Sequence, residues 1–139
     1  MKLLTFQARR FSWSPHAPNL PGVENPVTEG GEVEEAVVVF VHAEGCDEVP
    51  ERRSKVFKQT LKHIKWLANK RELKTVVLHS FTHLGGASSE PVFAESFLGE
   101  LAERLTGTGY RVERTPFGHV CAWNLDVYGE SLAKVWKEI

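Results

Sequence analysis

Two short runs constrain the fold of this chain more than any other feature. Ala36-Val37-Val38-Val39-Phe40-Val41 is apolar at every position, and Thr75-Val76-Val77-Leu78-His79 at its three central ones, not at alternate ones. A strand with one wet face alternates, whereas a strand covered on both faces does not. β-branched residues dominate both runs, which favours extended backbone. Each run is therefore expected to be a buried strand, the first over residues 35–43. Between them, after Pro50, residues Phe57, Leu61, Ile64 and Ala68 recur at one face of a 3.6-residue period. Beyond the second run, Ser88-Ser89-Glu90-Pro91 joins cap-type residues to a first-turn proline. Phe97, Leu98, Leu101 and Leu105 then form a second helical stripe, closed by Gly107 and Gly109. Strand–helix–strand twice over demands parallel pairing through right-handed crossovers.

The rest of the chain is shorter on signal. Residues 1–6 read as an opening strand that continues, bent, to Trp13. Residues 14–31 hold Pro15, Pro18, Pro21 and Pro26. Proline removes a backbone donor, so this stretch reads as one long loop. Residues 110–114 form a strand, Pro116-Phe117-Gly118 a turn, and residues 119–128 a last strand paired antiparallel with the one before. A short helix through Leu132, Val135 and Trp136 closes the chain. The expected fold is α/β: one domain over residues 1–139, a mixed β-sheet with packed helices.

The chain has 139 residues, enough to bury a core without staples. No apolar stretch nears the ~18 residues of a membrane span, and the N-terminal run is too short for a secretory signal. A cytoplasmic location and no membrane partner are expected. Cys46 and Cys121, far apart, read as free thiols. There is no Walker loop, GxGxxG, GxSxG, HExxH or CxxC. Nucleotide hydrolysis, dinucleotide redox chemistry and zincin proteolysis lack support, and no cofactor or resident metal is expected. Charge is uneven. Every charge from Glu24 to Glu51 is acidic, and nearly every one from Arg52 to Lys74 is basic. Arg52, Arg53, Lys55, Lys58, Lys62 and Lys65 suit phosphate contacts on a helix, or are a solvated face balanced by the acidic loop.

Candidate chemistry sits in two segments, each where a strand meets a loop. One is His79-Ser80-Phe81-Thr82-His83-Leu84-Gly85-Gly86, and the other Pro116-Phe117-Gly118-His119-Val120-Cys121. His119 and Cys121 are two apart on a strand and so share a face. Three readings stay open at this point. His83, His119 and Cys121 converge on Zn²⁺ with one open position. Alternatively, a neighbouring imidazolium lowers the pKa of Cys121, which acts as a nucleophile. The bland reading makes Cys121 a small buried hydrophobe. Gly85-Gly86-Ala87-Ser88-Ser89 presents N–H groups to an anion or oxyanion, or simply meets the needs of a turn.

At these residues the chain resembles the archaeal-type editing domain of threonyl-tRNA synthetase. The Glu34-Glu35-to-Val41 strand, Phe81-Thr82-His83-Leu84 and Pro116-Phe117-Gly118 fall in family order. The resemblance implies a D-aminoacyl-tRNA deacylase-like fold and a homodimer. It implies hydrolysis of a mischarged aminoacyl-tRNA ester, seryl-tRNA(Thr) above all, with the aminoacylated 3′ end of tRNA as partner. The implied pocket is walled by Ala43, Glu44, Phe81, Thr82, Pro116, Phe117 and Gly118. His83 stands where the family has its pocket histidine, and Cys121 and His119 flank the ester. Where the family has a lysine this chain has Cys121, and near the family's acidic position it has Lys134. Lys134 would return a positive charge to the pocket from the opposite side. These departures suit a freestanding relative. They also suit a module that binds an aminoacyl-nucleotide or tRNA 3′ end without hydrolysis, or a thiol- or zinc-dependent hydrolase of small molecules.

Overall fold

A computed structural model describes residues 1–139. Strand β1 covers Lys2–Pro18, β2 Gly31–His42, β3 Thr75–Ser80, β4 Arg111–Arg114, β5 His119–Val127 and β6 Lys134–Glu138. Helix α1 covers Pro50–Asn69 and α2 Pro91–Thr106, with 3₁₀ turns at Gly45–Glu48 and Ser131–Ala133. The sheet runs β4-β3-β2-β1-β5, with β6 also on β1. β2, β3 and β4 are mutually parallel, and β1 runs antiparallel to β2, β5 and β6. The two consecutive apolar runs are thus the central strands, as their patterning requires. α1 and α2 cover one face, where Val37, Val39, Val41, Val76 and Leu78 meet Ile64, Leu67, Phe97, Leu101 and Leu105. Val38, Phe40 and Val77 point to the other face and pack with Ala8, Phe11 and Val33 from the long, bent β1–β2 ribbon. No helix is long and apolar enough to cross a membrane.

Three expectations are corrected. The opening strand runs on through Ser14–Pro18, so the loop starts only at Asn19. Beyond Trp13, β1 pairs with β5 alone. Its other edge is therefore free, and an edge tolerates proline at Pro15 and Pro18. Gly31, where β2 begins, leaves no room for a side chain: a Cβ there would lie 2.3 Å from the Trp13 ring. The turn at Phe117-Gly118 does not fold β5 back on β4. It carries the chain across the sheet to β1, where Leu125 pairs with Phe11. The C-terminal helix is a strand. β5 leaves residues 2–6 of β1 open, and β6 fills that edge with Val135 opposite Thr5. The spacing of Leu132, Val135 and Trp136 was too short to tell a helical from an extended period.

Both helices hold, α1 with a shift of phase and α2 with the expected stripe of Phe97, Leu98, Leu101 and Leu105 buried. On α1 the buried face is Val56, Thr60, His63, Ile64, Leu67 and Ala68, whereas Phe57 and Leu61 lie at its margin. α2 starts at Pro91 without a side-chain cap from either serine. Glu48 from the preceding 3₁₀ turn accepts the Glu90 N–H instead, at 2.8 Å.

Of the four buried histidines, three are kept neutral by burial. Desolvation lowers His79 to about 4, and it lowers His42 and His63 as well. In each case the unfolded chain binds the proton more readily. Stability is therefore full above the unfolded value of about 6.5 and falls as pH drops from there towards 4. For His79 alone the loss is roughly 3 kcal/mol. Urea unfolding at pH 7.5, 6, 5 and 4.5 should show the decline, and His79→Gln should flatten it. A slope untouched by His79→Gln would contradict the assignment.

Candidate active site

The carboxyl ends of parallel strands are where open α/β sheets bind ligands. Here the ends of β2 and β3 open onto a cleft with two lobes. The larger, about 280 Å³, is walled by Ala43, Ser80, Thr82, Ser88, Phe117 and Leu20 among others. The smaller, about 100 Å³, is walled by Phe81, Thr82, His83, Cys121 and Trp123 among others. Asn19, Ser80, Thr82 and His119 line both, so the lobes are continuous. The sequence segments 79–86 and 116–121 do meet, as opposite walls.

The individual groups then sort by what they touch. His79 is buried between Phe40, Phe81 and Trp123, with Nδ1 2.8 Å from the Thr115 hydroxyl. At about 4, burial keeps it uncharged, and it is a wall. His119 uses both ring nitrogens. Nδ1–H donates to the Phe117 carbonyl at 3.0 Å, and Nε2 accepts the Val27 N–H at 3.0 Å. That arrangement fixes one tautomer and leaves no lone pair for a metal or for a thiol proton. His119 is thus a pin that holds the 19–30 loop and the Phe117-Gly118 turn together. The Asn19 N–H on the Gly118 carbonyl adds a second pin at 2.8 Å. Gly118 has φ +72, and a Cβ there would press on Leu20 at 3.2 Å. Only glycine serves this turn without strain.

Cys121 lines the smaller lobe, but burial raises its pKa. Nothing near it favours the thiolate, and its sulfur lies 4.0 Å from the His119 carbonyl. Neither the zinc set nor the Cys–His pair is therefore assembled. Cys121→Ser should leave folding and any cleft-dependent turnover within about three-fold, measured by melting and rate side by side. A loss of a hundred-fold would restore the nucleophile.

His83 differs from the others. It is exposed at the rim of the smaller lobe, edge-on to Phe81 at 5.2 Å between centroids. It makes no side-chain hydrogen bond within the chain, so both nitrogens are available. The backbone N–H groups of Thr82 and His83 are likewise without a partner in the chain. Two unpartnered amides thus stand beside a free imidazole at the rim of the smaller lobe.

Two expected pocket residues lie elsewhere. Lys134 caps the carbonyls of Tyr128, Gly129 and Glu130, at 2.8, 3.1 and 3.4 Å, beside β6. It is absent from both lobes, because the strand β6 replaced the helix expected to present it. Glu44 follows Ala43 but turns away. Its carboxylate takes the Met1 ammonium at 2.6 Å and Lys2 at 2.8 Å. Burial pushes its pKa up, yet those two partners outweigh burial and hold it below the usual range. Of the six cations on α1, Arg52 is tied to Asp47 and Arg53 to Glu100. The four lysines form no ion pair.

Sequence reasoning missed Asn19, Leu20, Trp123 and His42. His42 accepts the Leu84 N–H on Nδ1 at 3.2 Å and meets the Ser88 hydroxyl through Nε2 at 3.1 Å. It therefore holds the 83–88 loop over the cleft. Its place at the end of an apolar strand run was the available signal. Asn19 and Leu20, in a proline-rich stretch, gave none.

A family model described as the archaea-specific editing domain of threonyl-tRNA synthetase matches residues 1–139. The threonine–tRNA ligase of Staphylothermus marinus is 31% identical over 142 residues, spanning 100% of this chain and 22% of the ligase. That of Thermococcus onnurineus is 31% identical over 109 residues, spanning 78% of this chain and 17% of the ligase. The chain thus spans about a fifth of the length of the curated relatives it matches. Among solved structures, a chain titled c-Myc DNA Unwinding Element Binding Protein superposes with a TM-score of 0.67 at 15% identity. The superposition covers 100% of this chain and 99% of that one. The D-aminoacyl-tRNA deacylase-like fold expected from the sequence is the fold observed.

Proposed function

The chain belongs to the archaea-specific editing-domain family of threonyl-tRNA synthetase, and on that premise we propose that it hydrolyses the ester of a mischarged aminoacyl-tRNA. Serine on threonine tRNA is the substrate the resemblance favours. One observation carries the reading. Thr82 and His83, whose backbone N–H groups have no partner in the chain, line the smaller lobe with the free imidazole of His83, and Phe117 lines the larger lobe continuous with it.

The terminal adenosine fits the larger lobe, with adenine on Phe117, a contact that tolerates any base and contributes ~1–3 kcal/mol. The aminoacyl group enters the smaller lobe, where Ser80 and Thr82 offer hydroxyls to a polar side chain. Water held by His83 attacks the ester carbonyl carbon. The developing oxyanion is met by the two backbone N–H groups, which are fixed before the reaction starts. The C–O bond to the ribose breaks, and the proton taken from water passes through the imidazole to the leaving ribose oxygen. Cys121 contributes shape to this lobe and no charge.

A second reading rests on its own observation. No lysine, arginine, aspartate or glutamate lines either lobe. An ammonium stabilises a developing anion more strongly than amides do, so a cleft without one suits a binding module. Calorimetry with the non-hydrolysable amide of seryl-adenosine, beside turnover of the corresponding ester, separates the two. Binding with turnover supports the hydrolase, and binding without turnover supports the module. No binding of either compound overturns both.

A further inference from the structure

We infer that α1 and β6 together form a second contact surface for RNA, built from a lysine stripe that ends in a groove under Trp66. This rests on the reading of tRNA as the partner and says where the RNA body lies. Lys55, Lys58, Lys62 and Lys65 recur at i, i+3, i+7 and i+10, so they share one face of α1. None of the four has a carboxylate partner, unlike Arg52 and Arg53. Between Arg52 and Lys70 the chain holds no acidic residue. At its far end this face meets β6, whose Lys137 pairs with Leu3 on β1. There Lys62, Lys137, His63 and Trp66 wall a groove of about 510 Å³. The expectation of a C-terminal helix hid this site; only a strand brings Lys137 beside Lys62.

The chemistry of the groove selects its occupant. Lys62 and Lys137 are two unpaired ammonium groups, and no carboxylate lines the groove with them. Trp66 lies against the His63 ring, with centroids 5.8 Å apart, yet is 42% exposed. An anion flanked by flat apolar surface, a phosphate with its ribose or base, matches that lining. α1 leaves the carboxyl end of β2, where the cleft lies, and Trp66 stands about 24 Å beyond Pro50 at 1.5 Å per residue. A 3′ terminus seated in the cleft would thus lay its preceding phosphates along the stripe.

The test uses the full chain and uncharged tRNA, so it does not depend on hydrolysis. Binding is followed by fluorescence anisotropy from about 50 to 200 mM salt. Lys62→Gln with Lys137→Gln should weaken binding at least ten-fold and lower the salt slope by about two. Trp66→Ala should weaken it several-fold with the slope unchanged, because it removes apolar contact and no charge. Lys74→Gln with Arg111→Gln, at the β3–β4 edge, is the control and should leave affinity unchanged. Hydrolysis of the seryl-adenosine ester by the Lys62/Lys137 variant should match the parent, which keeps this surface distinct from the cleft. Three results overturn the inference: no tRNA binding by the parent, equal affinity in the Lys62/Lys137 variant, or equal loss in the control. The last would mean that only net charge matters.

Discussion

Replacing His83 by alanine should lower deacylation of a mischarged tRNA by about 10²–10⁴-fold, the range a positioned acid–base group supplies. The fold should be untouched, since the ring is exposed at the rim and bonds to nothing within the chain. KM should change little, because adenosine is held by the other wall. The contrast with its neighbours gives this prediction its force. His79 is neutral and engaged with Thr115, and His119 is engaged at both nitrogens. Alanine at either should cost stability first and rate only through the misplaced walls. Single-turnover rates and melting curves for all three variants make the comparison. A His83→Ala variant with more than a third of the parent rate would remove His83 from the chemistry and leave the backbone amides as the only catalytic groups.

Asp47→Ala should destabilise the fold by about 3–5 kcal/mol, the cost of breaking a buried ion pair from one side. The Asp47 side chain is fully buried. One oxygen lies 2.7 Å from the Met1 ammonium and accepts the Glu44 N–H at 2.9 Å; the other accepts the Arg52 Nε–H at 3.1 Å. Arg52 also donates to the Ile139 carbonyl, so one carboxylate ties both ends of the chain to the start of α1. Removing it leaves the Met1 ammonium, itself inaccessible, with Glu44 alone. Urea unfolding monitored by tryptophan fluorescence measures the loss. Because Ala43 and Glu44 lead into this cluster, the variant should also loosen the larger lobe and raise KM. A change below 1 kcal/mol would mean the cluster is solvated and does not anchor the cleft.

The two sides of the molecule were unequally legible in the sequence. The central strands and both helices follow from local pattern, because consecutive apolar residues and a 3.6-residue stripe each admit one kind of burial. The edges do not. Whether Ser14–Pro18 is strand depends on β5, which begins about a hundred residues later. Whether Val135 and Trp136 are extended depends on a gap left open along β1. The site shows the same division. Phe81 to His83 and Pro116 to Gly118 are walls of one cleft, as the spacing of strand ends allowed. His119 looked like a reactive group and is a structural pin, because its role is set by Val27 in a loop without sequence signal. Lys134 and Glu44 were assigned by position along the chain, and each is claimed by nearer partners, three carbonyls and two ammonium groups. Cys121 sits in the cleft as expected, but burial sets its chemistry against the thiolate.

The proposed reaction of this cleft is cleavage of the aminoacyl ester of a mischarged tRNA. The direct measurement is single-turnover deacylation of seryl-tRNA(Thr) at enzyme excess, with threonyl-tRNA(Thr) and an active editing domain run in parallel. Release of serine well above the spontaneous rate is expected, lost in His83→Ala and kept in Cys121→Ser. Release no faster than in buffer, while the active control clears its substrate, would contradict it.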